Sequence, residues 1–206
     1  MKDQFRMKNR NLKPSKTKLI VVTGGPGAGK TAVLEIAKKK LCPHVAILPE
    51  SATILFSGGF WRLPSLPARV AAQKSIYYIQ QEMENLVRHE TKWTLGLCDR
   101  GSLDSLAYWP KGADSFWKTL QTNQDIEYSK YAMVLHLQTP TLKMGYNHQN
   151  PLRTESAKQA LLIDKAIGKV WQDHPNYIPI PSQFDFLDKA HLALSFIENY
   201  APICCK

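Results

Sequence analysis

Short runs of apolar residues recur along this chain, and longer amphipathic segments separate them. The runs cover residues 19–22, 45–48, 94–98 and 133–137, and a weaker run at 177–180 contains a proline. In the first four runs apolar residues do not alternate with polar ones, which is typical of strands buried on both faces of a parallel sheet. The pattern therefore predicts a five-stranded, mainly parallel sheet.

The segments between these runs are long enough to be helices. They cover residues 29–41, 67–90, 155–173 and 187–199. In the second segment, apolar residues recur at steps of three and four, as on one face of a helix: Ile76, Ile79, Met83 and Leu86. Strands that alternate with helices predict a doubly wound α/β fold with helices on both faces of the sheet.

Two stretches interrupt this alternation and predict loops. Residues 57–66 mix glycines, aromatic residues, an arginine and a proline, and residues 139–154 contain two prolines, a glycine and two asparagines. Loops that project from a rigid sheet often carry binding groups. We expect the second loop to form a mobile lid over the site.

The composition fits one globular domain. The chain has 206 residues, of which 44% are hydrophobic and 21% charged, and these values are close to the average for such domains. Because no apolar run approaches the roughly 18 residues of a membrane span, we expect residues 18–206 to form a single domain that is not integral to a membrane. A secretory signal is not recognisable either, which favours a cytoplasmic location.

Residues 1–17 form a basic arm that is poor in apolar residues. Residues 1–18 hold seven lysines and arginines and one aspartate, which is most of the net charge of +10. Such an arm is most often disordered. It is also suited to bind a polyanion, either nucleic acid or an anionic lipid surface, through phosphate contacts.

The cysteine pattern indicates no metal site. Cys42, Cys98, Cys204 and Cys205 show neither a C-x-x-C spacing nor an accompanying series of histidines. Cys98 lies in an apolar run and is expected in the core. Four reduced thiols are the simplest interpretation.

The strongest motif is Gly24-Gly-Pro-Gly-Ala-Gly-Lys-Thr31, which matches the P-loop pattern G-x-x-x-x-G-K-[ST]. It directly follows an apolar run and precedes a helical segment, as a strand–loop–helix unit requires. Its backbone amides and the helix N-terminus suit the phosphates of ATP or GTP, Lys30 suits the β- and γ-phosphates, and Thr31 suits Mg²⁺. The predicted nucleotide-binding residues are Gly25, Pro26, Gly27, Ala28, Gly29, Lys30, Thr31 and Ala32.

A second group of candidates follows the run at residues 94–98. Asp99 ends this run, so it would lie near the phosphates, hold Mg²⁺ with Thr31 or accept a proton from an attacking hydroxyl. The adjoining Arg100 would clamp an anionic group of a substrate. The alternative to these roles is that Asp99 and Arg100 form a turn that only caps the helix starting near Ser102.

An acceptor pocket is predicted after the run at residues 45–48. Glu50 lies where such folds place substrates, and it would accept hydrogen bonds from sugar hydroxyls or act as a base. Arg62 and the aromatic residues Phe60 and Trp61 would complete this pocket. The alternative is that the two aromatic residues belong to the core.

Two further candidates lie in loops. Arg153 stands where a lid would deliver an arginine that offsets the charge developing during phosphoryl transfer, although a lone arginine is more often solvated. Asp185 follows the last run in Ser-Gln-Phe-Asp, a weak likeness to the guanine-reading Asn-Lys-x-Asp of GTPases. An exposed loop acid is the default interpretation of Asp185.

These motifs together resemble a known family. Leu48-Pro-Glu-Ser-Ala52, the P-loop, the Asp99-Arg-Gly101 block and Arg153-Thr-Glu-Ser156 resemble the AAA-domain-like P-loop proteins related to the ribosylnicotinamide kinase domain of the bacterial NAD regulator. The TRPL translocation defect protein of animals, which binds GTP and phosphoinositides, is similar too. The resemblance covers about residues 18–199. It implies a kinase core with Lys30, Thr31 and Asp99 around the metal and triphosphate, Arg153 in a lid and Glu50 near the acceptor.

The leading functional hypothesis is a Mg²⁺-dependent phosphotransferase that moves the γ-phosphate of ATP or GTP to a small hydroxyl-bearing acceptor, such as a nucleoside or riboside. The rival hypothesis is a nucleotide-gated binding protein that engages a phosphorylated lipid, protein or nucleic acid and hydrolyses nucleotide slowly. A polynucleotide kinase is a third possibility, which the positive charge favours.

Overall fold

The computed structural model describes residues 17–140, 157–182 and 186–205. Its sheet has five parallel strands in the order β2-β3-β1-β4-β5. The strands are β1 (Lys18–Thr23), β2 (Val45–Leu48), β3 (Leu95–Asp99), β4 (Met133–Leu137) and β5 (Tyr177–Ile180). The predicted parallel sheet is confirmed, and each apolar run forms one strand.

The helices fall into long and short ones. The four long helices match the predicted segments within a few residues: α1 (Lys30–Lys40), α3 (Leu66–His89), α7 (Ala157–Trp171) and α8 (Phe186–Glu198). Among the short helices, α4 (Asp104–Ala107) lies where the sequence places a helix near Ser102, whereas three were not predicted: α2 (Ser51–Ser57), α5 (Ala113–Leu120) and α6 (Gln124–Ser129). Helices this short owe their stability to tertiary packing rather than to their own periodicity, so they give little signal in the sequence.

Two cores lie on the two faces of the sheet. On one face, α1 and α8 pack through residues such as Val33, Leu34 and Ala193 against Ile20 and Leu135. The other face carries α3, α7 and the short helices α4, α5 and α6. The alternation of β1 explains this division, because Ile20 and Val22 face the first core whereas Leu19 and Val21 face the second. The doubly wound α/β class is therefore confirmed.

Several expectations meet the limits of the described residues. Residues 1–16 of the predicted basic arm at 1–17 and most of the predicted lid loop lie outside them. Within the described part, no helix combines the length and the apolar character needed to cross a membrane. Cys98 is buried in the core as expected, but Cys42 is disulfide-bonded. The expectation of four reduced thiols is therefore wrong.

Candidate active site

The glycine-rich segment 24–29 connects β1 to α1 and wraps the N-terminus of that helix. Gly24 has φ +138°, and a Cβ at this position would lie 2.1 Å from the carbonyl oxygen of Leu137. Only glycine fits there. Gly29, with φ +93°, precedes α1 and provides no side-chain cap to it. The positive end of the helix dipole thus faces the loop, as an anion site requires.

Lys30 is the first residue of α1, and its side chain is buried beside the loop. Its Nζ donates to the carbonyl oxygens of Gly24 at 2.9 Å and Gly25 at 3.2 Å. Burial and the neighbouring Arg100 guanidinium lower the pKa of Lys30 to about 8. The groups around Lys30 therefore do not fully offset the cost of burying its positive charge. A bound phosphate would stabilise the charged form.

Asp99 ends β3 and faces the same cleft. Its side chain is buried, and its Oδ1 atom has no hydrogen-bond partner among the residues that the structure describes. Burial raises the pKa of Asp99, although Lys30 and Arg100 oppose this. A buried carboxylate oxygen without a partner is costly unless a cation completes it. Thr31 also lines the cleft, and a carboxylate with a hydroxyl-bearing residue fits the oxygen preference of Mg²⁺.

Glu50 precedes α2 and pairs with Arg100, the residue that follows β3. Arg100 Nε donates to Glu50 Oε1 at 2.7 Å, and Arg100 Nη1 lies 3.2 Å from the carbonyl oxygen of Gly24 and 3.4 Å from Asp104 Oδ1. Burial alone would raise the pKa of Glu50, but Arg100, a hydrogen bond from Thr53 and nearby Lys30 lower it to about 2. Glu50 is therefore ionised at neutral pH.

The backbone of Arg100 is held in an unusual conformation. Its φ is +76°, in the left-handed region that residues other than glycine rarely adopt. Such strain persists only where surrounding contacts impose it, and it concentrates at functional sites. Here the contacts with Glu50, Gly24 and Asp104 hold the guanidinium in place. Arg100 thus joins the end of β2, the P-loop and α4.

One cleft of about 810 Å³ brings most of the predicted site residues together. The predicted residues that line it are Pro26, Gly27, Lys30, Thr31, Glu50, Phe60, Arg62, Asp99 and Arg100. The predicted nucleotide-binding residues that do not line it are Gly25, Ala28, Gly29 and Ala32. Arg153 and Asp185 lie outside the described residues.

The loop at residues 57–66 contributes to the cleft, and the alternative that its aromatic residues are core is wrong. Phe60 is 36% exposed and lines the cleft, and Trp61 is 78% exposed. The Arg62 guanidinium lies 4.2 Å from the centre of the Phe56 ring, which orients it by a cation–π contact. Trp61 instead lines a neighbouring apolar hollow.

Asp164 on α7 anchors the P-loop, and the sequence did not predict this role. Gly25 donates its backbone N–H to Asp164 Oδ1 at 2.7 Å, and Thr139 Oγ1 and His136 Nε2 both lie 3.1 Å from the same oxygen. Burial would raise the pKa of Asp164, but the hydrogen bonds from His136 and Gly25 lower it overall. The amide of Gly25 is thus committed to the protein. A usable signal was present, because Asp164 lies on the apolar face of its helix, three residues before Ile167.

A buried hydrogen-bond chain orients the wall of the cleft beside Glu50. Ser51 Oγ donates to Gln80 Oε1 at 2.7 Å, and Gln80 Nε2 donates to Glu84 Oε1 at 2.9 Å. Tyr131 also donates to Glu84 Oε1, at 2.6 Å. Since both ends of the Gln80 amide are engaged, its orientation in the cleft is set by these partners.

Lys189 on α8 holds the P-loop through hydrogen bonds to backbone carbonyl oxygens. Its Nζ donates to the carbonyl oxygens of Ala28 at 2.9 Å and Gln138 at 2.6 Å, and the residue is only 4% exposed. Burial lowers the pKa of Lys189 to about 8. This contact ties the loop to the end of β4.

We expect the substitution Lys189→Met to lower the free energy of unfolding by about 1–3 kcal/mol, because it removes the donor from the buried carbonyl oxygen of Ala28 and the partly buried one of Gln138. Urea denaturation followed by circular dichroism measures the change. Lys38→Met, at an exposed position of α1, is the matched control and should change stability by less than about 0.5 kcal/mol. Equal effects of the two substitutions would contradict the anchoring role.

The P-loop between β1 and α1, the strand order and the carboxylate that ends β3 define a P-loop α/β protein of kinase-like architecture. A model of the AAA domain family matches residues 19–183, and the chain belongs to that family. The predicted family resemblance is thereby confirmed. No curated protein matches the sequence.

Solved structures share this fold at low sequence identity. The NadR protein in complex with NAD and AMP-PNP is 12% identical, with a TM-score of 0.61, over 89% of this chain and 49% of that one. NadR in complex with NR is 10% identical, with a TM-score of 0.62, over 90% of this chain and 52% of that one. This chain thus spans about half the length of the NadR chains.

A third similar structure is deoxyadenosine kinase from M. mycoides with bound dATP. It is 14% identical, with a TM-score of 0.59, and the match covers 88% of this chain and 99% of that one. At such identities the likeness to NadR and to deoxyadenosine kinase establishes a common fold.

Proposed function

We propose that this protein is a Mg²⁺-dependent phosphotransferase that moves the γ-phosphate of ATP or GTP to a hydroxyl of a nucleoside- or riboside-like acceptor. One observation carries the proposal: the P-loop lysine, the buried Asp99 and an ionised, oriented Glu50 all line one cleft, and one Asp99 carboxylate oxygen has no hydrogen-bond partner within the described part of the chain. Its volume of about 810 Å³ leaves room for an acceptor beside a triphosphate. The solved neighbours, crystallised with AMP-PNP, NR or dATP, support a nucleotide and a nucleoside-like ligand.

The residues divide the reaction between them. Backbone amides of the P-loop and the Lys30 ammonium hold the triphosphate. Thr31 and Asp99 would hold Mg²⁺, which supplies positive charge against the phosphate oxygens. Arg153, in the expected lid, would add positive charge to the transferring phosphoryl group.

Glu50 acts on the acceptor hydroxyl. With a pKa of about 2, its carboxylate is a strong hydrogen-bond acceptor but a weak base, so it orients the hydroxyl rather than ionising it in advance. The hydroxyl oxygen forms the new bond to phosphorus as the bond to the β-phosphate oxygen breaks, and the hydroxyl proton passes to Glu50 late in that step. Arg100 Nε donates to Glu50, so Arg100 positions Glu50, and a guanidinium with five N–H donors can also clamp an anionic group of the substrate.

A transfer assay tests the proposal. The purified full chain is incubated with γ-labelled ATP or GTP, Mg²⁺ and a panel of nucleosides, ribosides and nucleotides, and labelled products are separated. The proposal requires at least one acceptor-dependent labelled product. Tight nucleotide binding without any product would instead favour the nucleotide-gated binding protein, for which the basic arm at 1–17 is the supporting observation.

We expect the affinity for ATP to fall as the pH rises above about 8, because Lys30, with a pKa of about 8, then loses the charge that attracts phosphate. The fall has a limiting slope of about tenfold per pH unit. Calorimetric titration of ATP at pH values on either side of 8 measures it. Lys189 has a similar pKa, so the slope should persist in Lys189→Met; a flat profile in the wild type would refute the assignment.

A further inference from the structure

One cation of the cleft is explained neither by the triphosphate nor by an acidic partner. The charged residues that line the cleft are Lys30, Glu50, Arg62, Asp99, Arg100 and Asp104. Lys30 belongs to the P-loop, and Arg100 is balanced by Glu50 and Asp104. Among the described residues no acid pairs with Arg62. Its positive charge therefore stays available to an anion that enters the cleft.

The wall of the cleft that carries Arg62 has no negative charge of its own. From Ser51 to Gln81 the chain contains Arg62, Arg69 and Lys74, and it contains no aspartate or glutamate. This stretch forms α2, the loop that follows and most of α3. A concave surface lined by charge of one sign concentrates ligands of the opposite sign. This end of the cleft is thus suited to a negatively charged group.

Contacts with α2 hold Arg62 in place. Gly59 donates its backbone N–H to the carbonyl oxygen of Phe56 at 3.2 Å, and Phe60 donates to that of Leu55 at 3.2 Å, so the loop folds back onto the end of α2. The Arg62 guanidinium lies 4.2 Å from the centre of the Phe56 ring. This cation–π contact orients the guanidinium and leaves its N–H donors free to bind the oxygens of an anion.

The position of Arg62 along α2 relates it to the acceptor. Glu50 precedes α2, and Phe56, which holds Arg62, lies six residues further along. At 1.5 Å per residue, these two positions are about 9 Å apart. Because Glu50 would orient the acceptor hydroxyl, Arg62 lies within reach of a second group on the same small molecule. It lies several covalent bonds from the hydroxyl that reacts.

We propose that the acceptor carries a phosphate monoester in addition to the hydroxyl that is phosphorylated, and that Arg62 binds this phosphate. The inference rests on the phosphotransferase function proposed above and narrows its acceptor to a phosphorylated nucleoside or a sugar phosphate. A guanidinium binds phosphate with two parallel hydrogen bonds. In nucleoside- or riboside-like molecules, a phosphate ester is the usual group that supplies such an anion.

Calorimetric titration tests this binding without requiring turnover. The full chain is saturated with Mg²⁺ and AMP-PNP, so that the P-loop is closed to the phosphate of the probe. The probes are the four common ribonucleosides, their 3′- and 5′-monophosphates, ribose and ribose 5-phosphate. We expect at least one phosphorylated probe to bind about tenfold or more tightly than its unphosphorylated parent. The nucleotide and ribose 5-phosphate arms separate the two sources of the phosphate.

Variants of Arg62 assign the effect to this side chain. Arg62→Gln should remove the preference for the phosphorylated probe and leave the Kd of the unphosphorylated parent within about twofold. Arg62→Lys keeps the charge but loses the paired hydrogen bonds, so it should retain part of the preference. Arg69→Gln is the matched control, because Arg69 is an exposed arginine of α3 that does not line the cleft, and it should behave like the wild type.

Transfer kinetics separate this inference from the proposed function. With γ-labelled ATP, Arg62→Gln should raise the KM for the phosphorylated acceptor about 10- to 100-fold and change kcat little, because Arg62 is remote from the transferred group. Binding that depends on Arg62 without any labelled product would support the phosphate site and refute phosphotransfer. A labelled nucleoside product without any preference for phosphorylated acceptors would do the reverse. Absence of binding, equal Kd values for each monophosphate and its parent, or a preference that survives in Arg62→Gln would overturn the inference.

Discussion

Asp99→Asn is expected to lower kcat for phosphoryl transfer about 1,000-fold or more, while the Kd for ATP measured without Mg²⁺ stays within about threefold. The substitution removes the negative charge that would hold Mg²⁺ but keeps the shape of the side chain. The loss falls on the carboxylate whose Oδ1 atom accepts no hydrogen bond from any described residue. The P-loop amides and Lys30 remain to bind the triphosphate, so binding and chemistry should separate.

Steady-state kinetics with the best acceptor measure kcat, and calorimetry measures the Kd. The control is Asp114→Asn, because Asp114 is exposed in the first turn of α5 and its substitution should leave both constants unchanged. A Mg²⁺ titration of the Asp99 variant adds a second readout, since the Mg²⁺ concentration for half-maximal activity should rise. Activity within threefold of the wild type would remove Asp99 from the metal site.

Glu50→Gln is expected to lower kcat/KM for the acceptor about 10²–10⁴-fold. Glutamine can still receive a hydrogen bond from the acceptor hydroxyl, but it cannot take the proton that is released during transfer. The loss should fall mainly on kcat, because orientation is partly kept whereas proton acceptance is lost. The Kd for ATP should change little.

The comparison between transfer and hydrolysis sharpens this test. If the protein is a phosphotransferase, Glu50→Gln suppresses transfer to the acceptor far more than the slow release of phosphate to water. If it is a nucleotide-gated binding protein, both rates are unaffected. Glu35→Gln, at an exposed position of α1, is the matched control. The variant's folding is checked through its Tm, because Arg100 loses an ionic partner.

The fold and the nucleotide side of the site could be predicted because their signals are contiguous in the chain. Each buried strand is one apolar run, and the P-loop places its glycines, Lys30 and Thr31 within eight residues. Asp99 ends β3 and Glu50 follows the neighbouring parallel strand β2, so their position at one edge of the sheet follows from the topology. Their roles remain predictions.

The contacts that hold the P-loop in place could not be predicted from the sequence in the same way. Asp164 and Lys189 are single charged residues on the buried faces of α7 and α8. A charged residue among apolar ones indicates only that its side chain needs a polar partner, not which group that partner is. Their partners, the Gly25 amide and the Ala28 carbonyl, are backbone groups with no signature in the sequence. The short helices α2, α5 and α6 were not predicted for a related reason, since packing rather than local preference stabilises them.

The sequence by itself determined the family, the parallel α/β sheet and a phosphate loop, because hydrophobic period and glycine spacing act over neighbouring residues. Only the tertiary structure decided that Arg100 pairs with Glu50, and that one Asp99 oxygen has no hydrogen-bond partner in the described ranges of the chain. Those features depend on how distant segments approach one another. That approach is set by the packing of two cores against one sheet, to which residues along the whole chain contribute.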